Sequence, residues 1–161
     1  MADTNNSATR AGESIFPVSE LTVCRFADFR SKPGEFRVFL PYTSPRLTRA
    51  ALAMIGGLTR NLSARVTLFA VHIVPFPLPL DCSDVTPGFL TRQLMGAAQE
   101  MGAPVNVELV LARDRDAGLK QIIPPGSLVV VAARKRWWPT AEKKLAQSLL
   151  KAGYSVALVH V

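Results

Sequence analysis

Three consecutive cations and two tryptophans, Arg134-Lys-Arg-Trp-Trp138, follow directly after an apolar segment of the chain. Guanidinium and ammonium groups bind phosphate and carboxylate oxygens, and a neighbouring indole ring can stack on a base or contact a cation. These residues could therefore hold an anionic ligand, together with the free N–H groups of a helix that Thr140 would cap. The alternative is a solvated loop in which at least one tryptophan packs under the loop or into a dimer contact.

The preceding segment, Leu128–Ala133, is apolar throughout and rich in valine. Such a run predicts a strand that is buried on both faces, as in a parallel sheet covered by helices. In open α/β sheets, ligands bind in the crevice beyond the carboxyl ends of the strands. We therefore expect a ligand-binding crevice at these strand ends, formed by Pro41, Tyr42, Thr43, Ser44, Val74, Ala132, Ala133, Arg134, Lys135, Arg136 and Thr140.

Strands and single helices alternate along the rest of the chain. The predicted strands are Phe36 to Tyr42, Arg65 to Val74, Val105 to Ala112, Ser127 to Ala133 and Tyr154 to Val161. The predicted helices are Pro45 to Leu62, Gly88 to Met101, Asp114 to Ile123 and Thr140 to Ala152. This alternation predicts an α/β fold, a three-layer αβα sandwich around a five-stranded parallel sheet.

Local signals place the helices more closely. Ser44, Asp114 and Thr140 have side chains that can accept a hydrogen bond from the first turn of the helix that follows each of them. The first helix has apolar residues at three- and four-residue spacing, which predicts a buried face formed by Leu47, Ala51, Met54, Ile55 and Leu58.

Two regions are expected along the chain. Residues 1–33 are predicted to be a tail and an appended segment, partly disordered, and residues 34–161 to be one domain. Met1 to Ser14 is polar and lacks periodicity, which is typical of a disordered tail. Ile15 to Lys32 could form a short strand or a helical turn that packs on the domain.

The 161-residue chain has a formal net charge of +7, and residues 113–151 hold nine cations and three acids. This excess could attract nucleic acid, anionic lipid or phosphorylated ligands, and it does not decide among them. No helix-turn-helix, RNA-recognition or zinc-finger pattern accompanies the charge, so nucleic-acid binding is the weaker alternative.

Further features of the sequence bear on where in the cell the protein resides. No apolar run reaches the ~18 residues of a membrane span, and Met1 to Gly12 lacks the apolar part of a secretory signal. We therefore expect a cytoplasmic protein without a membrane partner. Cys24 and Cys82 have no CxxC or Cys/His spacing, so they are predicted to be ordinary thiols, in neither a disulfide nor a metal site.

No residue is predicted to be catalytic or to bind a metal. Thr43 and Ser44 follow a strand, but no Gly-x-Ser-x-Gly elbow surrounds them and no His/Asp partner can be assigned. His72 and His160 lie within predicted strands and are expected to be structural. These observations favour a binding domain over an enzyme.

Four segments, in their order and spacing, resemble the universal stress protein family from Phe36 to the end of the sequence. They are Arg37 to Tyr42 before a long helix, Ala64 to Pro75, Asp114 to Ile123 before Ser127 to Val131, and Val156 to Val161. The resemblance implies an adenine-nucleotide-hydrolase-like, Rossmann-like fold with strand order 3-2-1-4-5. It also implies a homodimer joined through the last strand, here Tyr154 to Val161.

Nucleotide-binding members of that family carry an Asp after the first strand and a Gly-x2-Gly-x9-Gly-(Ser/Thr) signature after the fourth. Thr43 stands where the Asp would be, and the signature positions are Ala132, Lys135, Leu145 and Ala146. Glycine allows a backbone to approach phosphate closely, so ATP or another adenine nucleotide is a disfavoured cofactor.

These inferences combine into one leading hypothesis. The chain is predicted to be a non-catalytic, universal-stress-protein-like regulatory domain that dimerises and binds a protein partner or an anionic small ligand. One alternative is a nucleotide-binding protein or an enzyme acting on a phosphorylated or adenylated substrate. Another alternative is a basic protein that associates with nucleic acid.

Overall fold

The computed structural model of the protein describes residues 21–27, 33–60, 62–82 and 84–161. The predicted tail lies outside these residues, as do residues 15–20 and 28–32 of the appended segment. The described strands are β1 (Leu21–Ala27), β2 (Phe36–Pro41), β3 (Ala64–Ile73), β4 (Val105–Ala112), β5 (Leu128–Ala133) and β6 (Ser155–His160). The described helices are α1 (Pro45–Thr59), α2 (Val85–Gln99), α3 (Arg115–Ile122) and α4 (Ala141–Lys151).

The α/β class is confirmed, but the sheet contains a sixth strand, so its strand count and full order differ from the prediction. The five predicted strands keep the order 3-2-1-4-5 within it. The strands form one six-stranded mixed sheet in the order β1-β4-β3-β2-β5-β6. The extra strand, β1, pairs antiparallel with β4, with Leu21 opposite Ala112. The other five strands run parallel to one another. An open edge of β4 offers unpaired N–H and C=O groups, and part of the appended segment satisfies them by joining the sheet.

Helices cover both faces of the sheet. Buried residues of α1 and α2 belong to one apolar core, and buried residues of α3 and α4 belong to a second core on the opposite face. The side chains of β5 alternate between these cores, with Val130 and Ala132 in the first and Val129 and Val131 in the second. This alternation follows from the two-residue period of a strand, and it confirms that the apolar run is buried on both faces.

The buried face of α1 differs from the prediction. Met54 and Leu58 are 45% and 68% exposed, and Leu52 is buried instead. A helix turns about 100° per residue, so Leu52 and Met54 lie at opposite margins of the face that contains residues 47, 51 and 55, and the sheet buries the margin of Leu52. Leu58 points in a direction between those of Leu47 and Ala51, but it lies in the last turn of α1. The apolar spacing in the sequence is compatible with two overlapping buried faces of this helix, and packing against the sheet determines which one is buried.

The two cysteines are joined, contrary to the prediction of ordinary thiols. Cys24 of β1 forms a disulfide with Cys82, with 6.3 Å between their Cα atoms and a sequence separation of 58 residues. The pairing of β1 with β4 places Cys24 beside the segment that leads into α2. Because the bond depends on that strand pairing, the spacing of the two cysteines carried no signal for it.

The predicted helix N-caps are confirmed by their hydrogen bonds. Ser44 accepts from the Leu47 N–H, Asp114 from the Ala117 N–H, and Thr140 from the Lys143 N–H. These caps end the loops that leave the carboxyl ends of β2, β4 and β5, and so they shape that edge of the sheet. Among the helices that the structure describes, none has both the length and the apolar character needed to cross a membrane.

Candidate ligand-binding crevice

A cavity of about 300 Å³ lies at the carboxyl edge of the sheet, where β2 and β5 are neighbours. The described residues that line it are Arg46, Leu47, Arg134, Lys135, Arg136 and Val161. Four of these six side chains are cationic, and none is a carboxylate, a histidine or a thiol. The side chains that line the cavity therefore form a basic wall without an acidic side chain, an arrangement that suits an anion.

Hydrogen bonds hold the main chain of the first residues of the β5–α4 loop, which comprises residues 134–140. The Lys135 N–H donates to the Val161 carbonyl at 3.4 Å, and the Val161 N–H donates to the Ala133 carbonyl at 3.0 Å. The Lys143 ammonium group donates to the Arg136 carbonyl. These contacts use backbone atoms of the loop, so the side chains of its three cations remain exposed for a ligand.

The two tryptophans of this loop point into solvent. Trp137 is 90% exposed and Trp138 is 61% exposed, so the interpretation that one of them packs under the loop is wrong. Their ring centroids lie 5.8 Å apart with the ring planes tilted by 45°. The indoles therefore contact each other and contribute little to the core of the protein.

The start of α4 carries the acid nearest to these cations. The hydrogen bond from the Thr140 hydroxyl is the main reason that the pKa of the Glu142 carboxyl is lowered from its ordinary value. The backbone N–H of Glu142 and the charges of Arg134 and Arg136 lower this pKa further, whereas burial raises it. Glu142 is therefore a carboxylate at neutral pH, and it offsets part of the positive charge of the loop.

The residues predicted at the end of β2 mostly serve the fold. Pro41 is buried, and the Tyr42 hydroxyl donates to the Gln93 Oε1 of α2 at 2.9 Å. Burial raises the pKa of Tyr42, and the charge of Arg49 opposes this effect. Ser44 is the cap of α1. None of these residues is among the described lining of the cavity.

Thr43 differs from its neighbours because its Oγ1 is buried without a hydrogen-bond partner in the described part of the chain. Thr48, which is fully buried in the first turns of α1, has an Oγ1 in the same state. A buried hydroxyl without a partner costs free energy, so the region beneath the crevice is not optimised for stability alone.

Three further predicted residues support the crevice from below. Ala132 and Ala133 are buried at the end of β5, and Val74 is buried at the end of β3. The Val74 carbonyl accepts from Arg113 at 2.9 Å, so it is already occupied. The structure thus brings Arg134, Lys135 and Arg136 together at the cavity and places the other predicted residues around it.

Two positively charged residues at this edge were missed from the sequence. Arg46 lines the cavity from the first turn of α1, and its position directly after the proline that begins this helix was the available signal. Arg113 follows β4 and donates to the carbonyls of Pro75 and Leu78 at 3.1 and 2.7 Å, in addition to that of Val74. The signal for Arg113 was the proline-rich loop Pro75 to Pro79, because prolines lack an N–H and the carbonyls of such a loop need donors from elsewhere.

The positions that correspond to the nucleotide signature are dispersed. Lys135 is exposed in the loop, whereas Leu145 and Ala146 are buried inside α4 and belong to the second core. Ala132 is buried in β5. Only the first two positions therefore lie near the crevice, and no backbone of α4 at residues 145–146 faces it.

A second, larger cavity of about 660 Å³ lies at the opposite edge of the sheet, between the ends of α1 and α2. Arg49, Arg60 and Glu100 are its charged lining residues, and Arg49 and Glu100 form an ion pair at 2.8 Å. Because this pair neutralises itself, the cavity has less free charge than the smaller crevice.

The fold and the crevice together define an α/β-sheet protein with a basic cavity at the carboxyl ends of its parallel strands. Within the described ranges, no group of three or more His, Cys, Asp or Glu residues is placed to hold a metal ion. A search with models of known protein families gave no match, and a search of curated proteins also gave no match. The site therefore has to be interpreted from its own residues.

Proposed function

We propose that this chain is a non-catalytic, universal-stress-protein-like regulatory domain that binds a small anionic ligand in the crevice of Arg46, Arg134, Lys135 and Arg136. A phosphorylated small molecule fits this site best in chemical terms, because guanidinium groups recognise phosphate oxygens in a bidentate manner. The ligand is not ATP bound in the mode usual for that family.

The observation that carries this proposal is the excess of cationic side chains at the cavity wall. Four cationic side chains converge on about 300 Å³, and no acidic side chain is among the described residues that line it. Like charges held together repel one another, and an anion in the cavity would relieve this repulsion. A volume of this size is at the small end for ligand pockets, which favours a compact ligand over a large one.

The residues that line the cavity also favour a binding function over a catalytic one. The described lining of the cavity offers no imidazole, carboxylate or thiol side chain that could serve as a general base or nucleophile. The hydroxyls closest in sequence are committed elsewhere, since Ser44 and Thr140 cap α1 and α4. The usual ATP mode is disfavoured because Thr43 replaces the family's acid and side chains replace its glycines.

Isothermal titration calorimetry with inorganic pyrophosphate tests the site, with AMP, ADP and ATP as further ligands. We expect pyrophosphate to bind the native protein and Arg46→Gln to weaken this binding by about tenfold, since a hydrogen bond to a charged group contributes about 1.5 kcal/mol or more. Arg134→Gln should have a similar effect.

Arg60→Gln is the matched control, because Arg60 is also exposed and lies at the other end of α1. It should leave pyrophosphate affinity unchanged. Micromolar binding of ATP that depends on Ala132 to Ala146 would overturn the claim about the nucleotide mode. Pyrophosphate binding that is absent, or equal in the native protein and Arg46→Gln, would overturn the proposed site.

We also propose that the domain forms a homodimer through β6. This strand lies at the end of the sheet, and its second edge pairs with no other described strand. An unpaired edge can recruit an identical strand from a second copy. Light scattering over a range of concentrations should give the mass of a dimer, and a monomer mass at the highest concentration would contradict this proposal.

A further inference from the structure

We propose that the β5–α4 loop, residues 134–140, docks the protein onto an anionic phospholipid surface. The two indoles of Trp137 and Trp138 would enter the headgroup region, and Arg134, Lys135 and Arg136 would contact lipid phosphates. This is a peripheral contact; it shares three cations with the crevice wall, but it does not require that the crevice holds a ligand. It would replace the expectation that the protein has no membrane partner, which was based on the lack of a spanning segment.

The exposure of the indoles is the first observation behind this proposal. Trp137 is 90% exposed and Trp138 61% exposed, although tryptophan is on average among the more buried residue types. Neither ring contributes to a core of the described chain. An indole has a large apolar surface and one polar N–H, and it therefore prefers the boundary between water and lipid.

The charge around the indoles is the second observation. Residues 134–144 include five cations and a single acid, Glu142. The three cations of the loop and Lys144 are exposed, and Arg46 of α1 lines the same cavity as the loop. Each Lys or Arg near an anionic membrane contributes about 1 kcal/mol of attraction, so this cluster is complementary to such a surface.

The arrangement of the rings favours a membrane over single-stranded nucleic acid. A single-strand binder offers separate ring faces along a groove, on which successive bases stack. Here the two rings are consecutive in sequence, 5.8 Å apart and tilted by 45°, so that they cover part of each other. The two indoles together form one exposed apolar surface next to cations. Aromatic side chains beside cations are typical of segments that insert into the interface between water and a membrane.

The protein contains two tryptophans, and both lie in this loop, so its tryptophan emission reports directly on the proposed contact. The full chain is titrated with vesicles of phosphatidylcholine alone and with vesicles that also contain phosphatidylserine, at low and high salt. We expect emission to shift to shorter wavelength with the anionic vesicles at low salt only. Flotation of the vesicles measures the bound fraction independently.

Two loop variants separate charge from insertion. Arg134→Gln combined with Lys135→Gln and Arg136→Gln keeps the fluorescent reporter and should lower partitioning into anionic vesicles by about 100-fold. Trp137→Ser combined with Trp138→Ser should lower flotation by about tenfold or more, because the buried apolar surface is lost. This second variant should leave pyrophosphate binding in the crevice intact, so the two proposals can fail separately.

The matched control removes the same charge from the opposite edge of the sheet, with Arg37→Gln, Arg60→Gln and Lys151→Gln. These exposed residues lie near the amino ends of the strands, whereas the loop lies at the carboxyl ends. A six-residue strand that rises about 3.3 Å per residue separates the two ends by about 20 Å, which exceeds the ~10 Å screening length at ordinary salt. The control should bind vesicles as the native protein does.

Several results would overturn the proposal. One is the absence of any spectral shift and of flotation with anionic vesicles at low salt. Equal losses in the loop variant and in the control would show a general charge effect. A spectral shift with a single-stranded oligonucleotide but not with vesicles would assign the loop to nucleic acid, and a shift that depends on protein concentration alone would assign it to self-association.

Discussion

Two loops leave the carboxyl edge of the sheet with exposed aromatic side chains, and they are held very differently. In the β3–α2 loop, residues 74–84, Arg113 donates to three backbone carbonyls and lies 5.9 Å from the ring centroid of Phe76. The disulfide from Cys82 ties the same loop to β1. The β5–α4 loop is held by backbone contacts with Val161, by the Lys143 ammonium group and by the Thr140 cap, and its tryptophans contact each other.

This difference separates a structural loop from a loop available for binding. Side chains that hold a loop in place are used in the native fold, and removing them should change stability. Side chains that project from a loop without contacts should affect binding while stability stays nearly constant. Substitutions in each loop test this separation.

Removal of the disulfide should have the largest effect. Cys24→Ser combined with Cys82→Ser, or a reducing agent, should lower the free energy of unfolding by about 4 kcal/mol, because the bond closes a long stretch of chain in the unfolded state. The two cysteines are 58 residues apart in sequence. Denaturant unfolding followed by circular dichroism measures the change.

The double variant should respond to no reducing agent, which is its internal control. If the native protein unfolds at the same denaturant concentration with and without reductant, the bond does not stabilise the β3–α2 loop. The comparison between the two loops would then rest on Arg113 alone.

Arg113→Ala should have the next largest effect. It removes three hydrogen bonds and a contact with Phe76, which together should cost about 2 kcal/mol of stability. Chymotrypsin should cut the native protein first between Trp137 and Trp138. In the variant, cleavage after Leu80 should become equally fast, and mass spectrometry of early fragments distinguishes the two sites.

Arg115→Ala is the matched control, because Arg115 is an exposed cation at the start of α3 and lies two residues away. It should change stability by less than about 0.5 kcal/mol and leave the cleavage order unchanged. Arg113→Lys should resemble Arg113→Ala, since an ammonium group lacks the fork that reaches several carbonyls. Slow cleavage after Leu80 in Arg113→Ala would show that other contacts hold this loop.

Features that depend on neighbouring residues were predictable from the sequence. The alternation of strands and helices, the burial of both faces of β5 and the three N-caps are all confirmed. Most element bounds agree within two residues of the prediction, although α1 ends, and α2 begins, three residues earlier than expected. Each of these features follows from local backbone preferences and hydrogen bonding, which a short window of sequence contains.

Features that depend on distant residues were not predictable in the same way. β1 joins the sheet through β4, about 85 residues further along the chain, and the disulfide depends on that pairing. The choice between two apolar stripes of α1 is made by the sheet beneath it. At the candidate site, the three cations of the β5–α4 loop were predictable from their position after a strand. Arg46 was missed although the strand order implied by the resemblance places β2 beside β5.

The smallest predicted effect concerns the anchoring of the β5–α4 loop at the start of α4. The pKa of Glu142 is lowered in the folded protein, mainly by the Thr140 hydrogen bond. A carboxyl with a lowered folded pKa contributes stability above its ordinary pKa, and this contribution is lost as the pH falls through the folded value. Glu142→Gln should therefore be less stable than the native protein at pH 7, by about 0.5 kcal/mol, as for an acid near a helix N-terminus.

The difference between Glu142→Gln and the native protein should disappear in strong acid, where the carboxyl is protonated and resembles the amide. Urea unfolding of both proteins at neutral pH and at a pH below the folded pKa measures this change. A difference that is equal at both pH values would mean that Glu142 acts through packing and not through its charge. The predicted result would show that a weak electrostatic contact is enough to position this loop, while its cations and indoles remain free to bind.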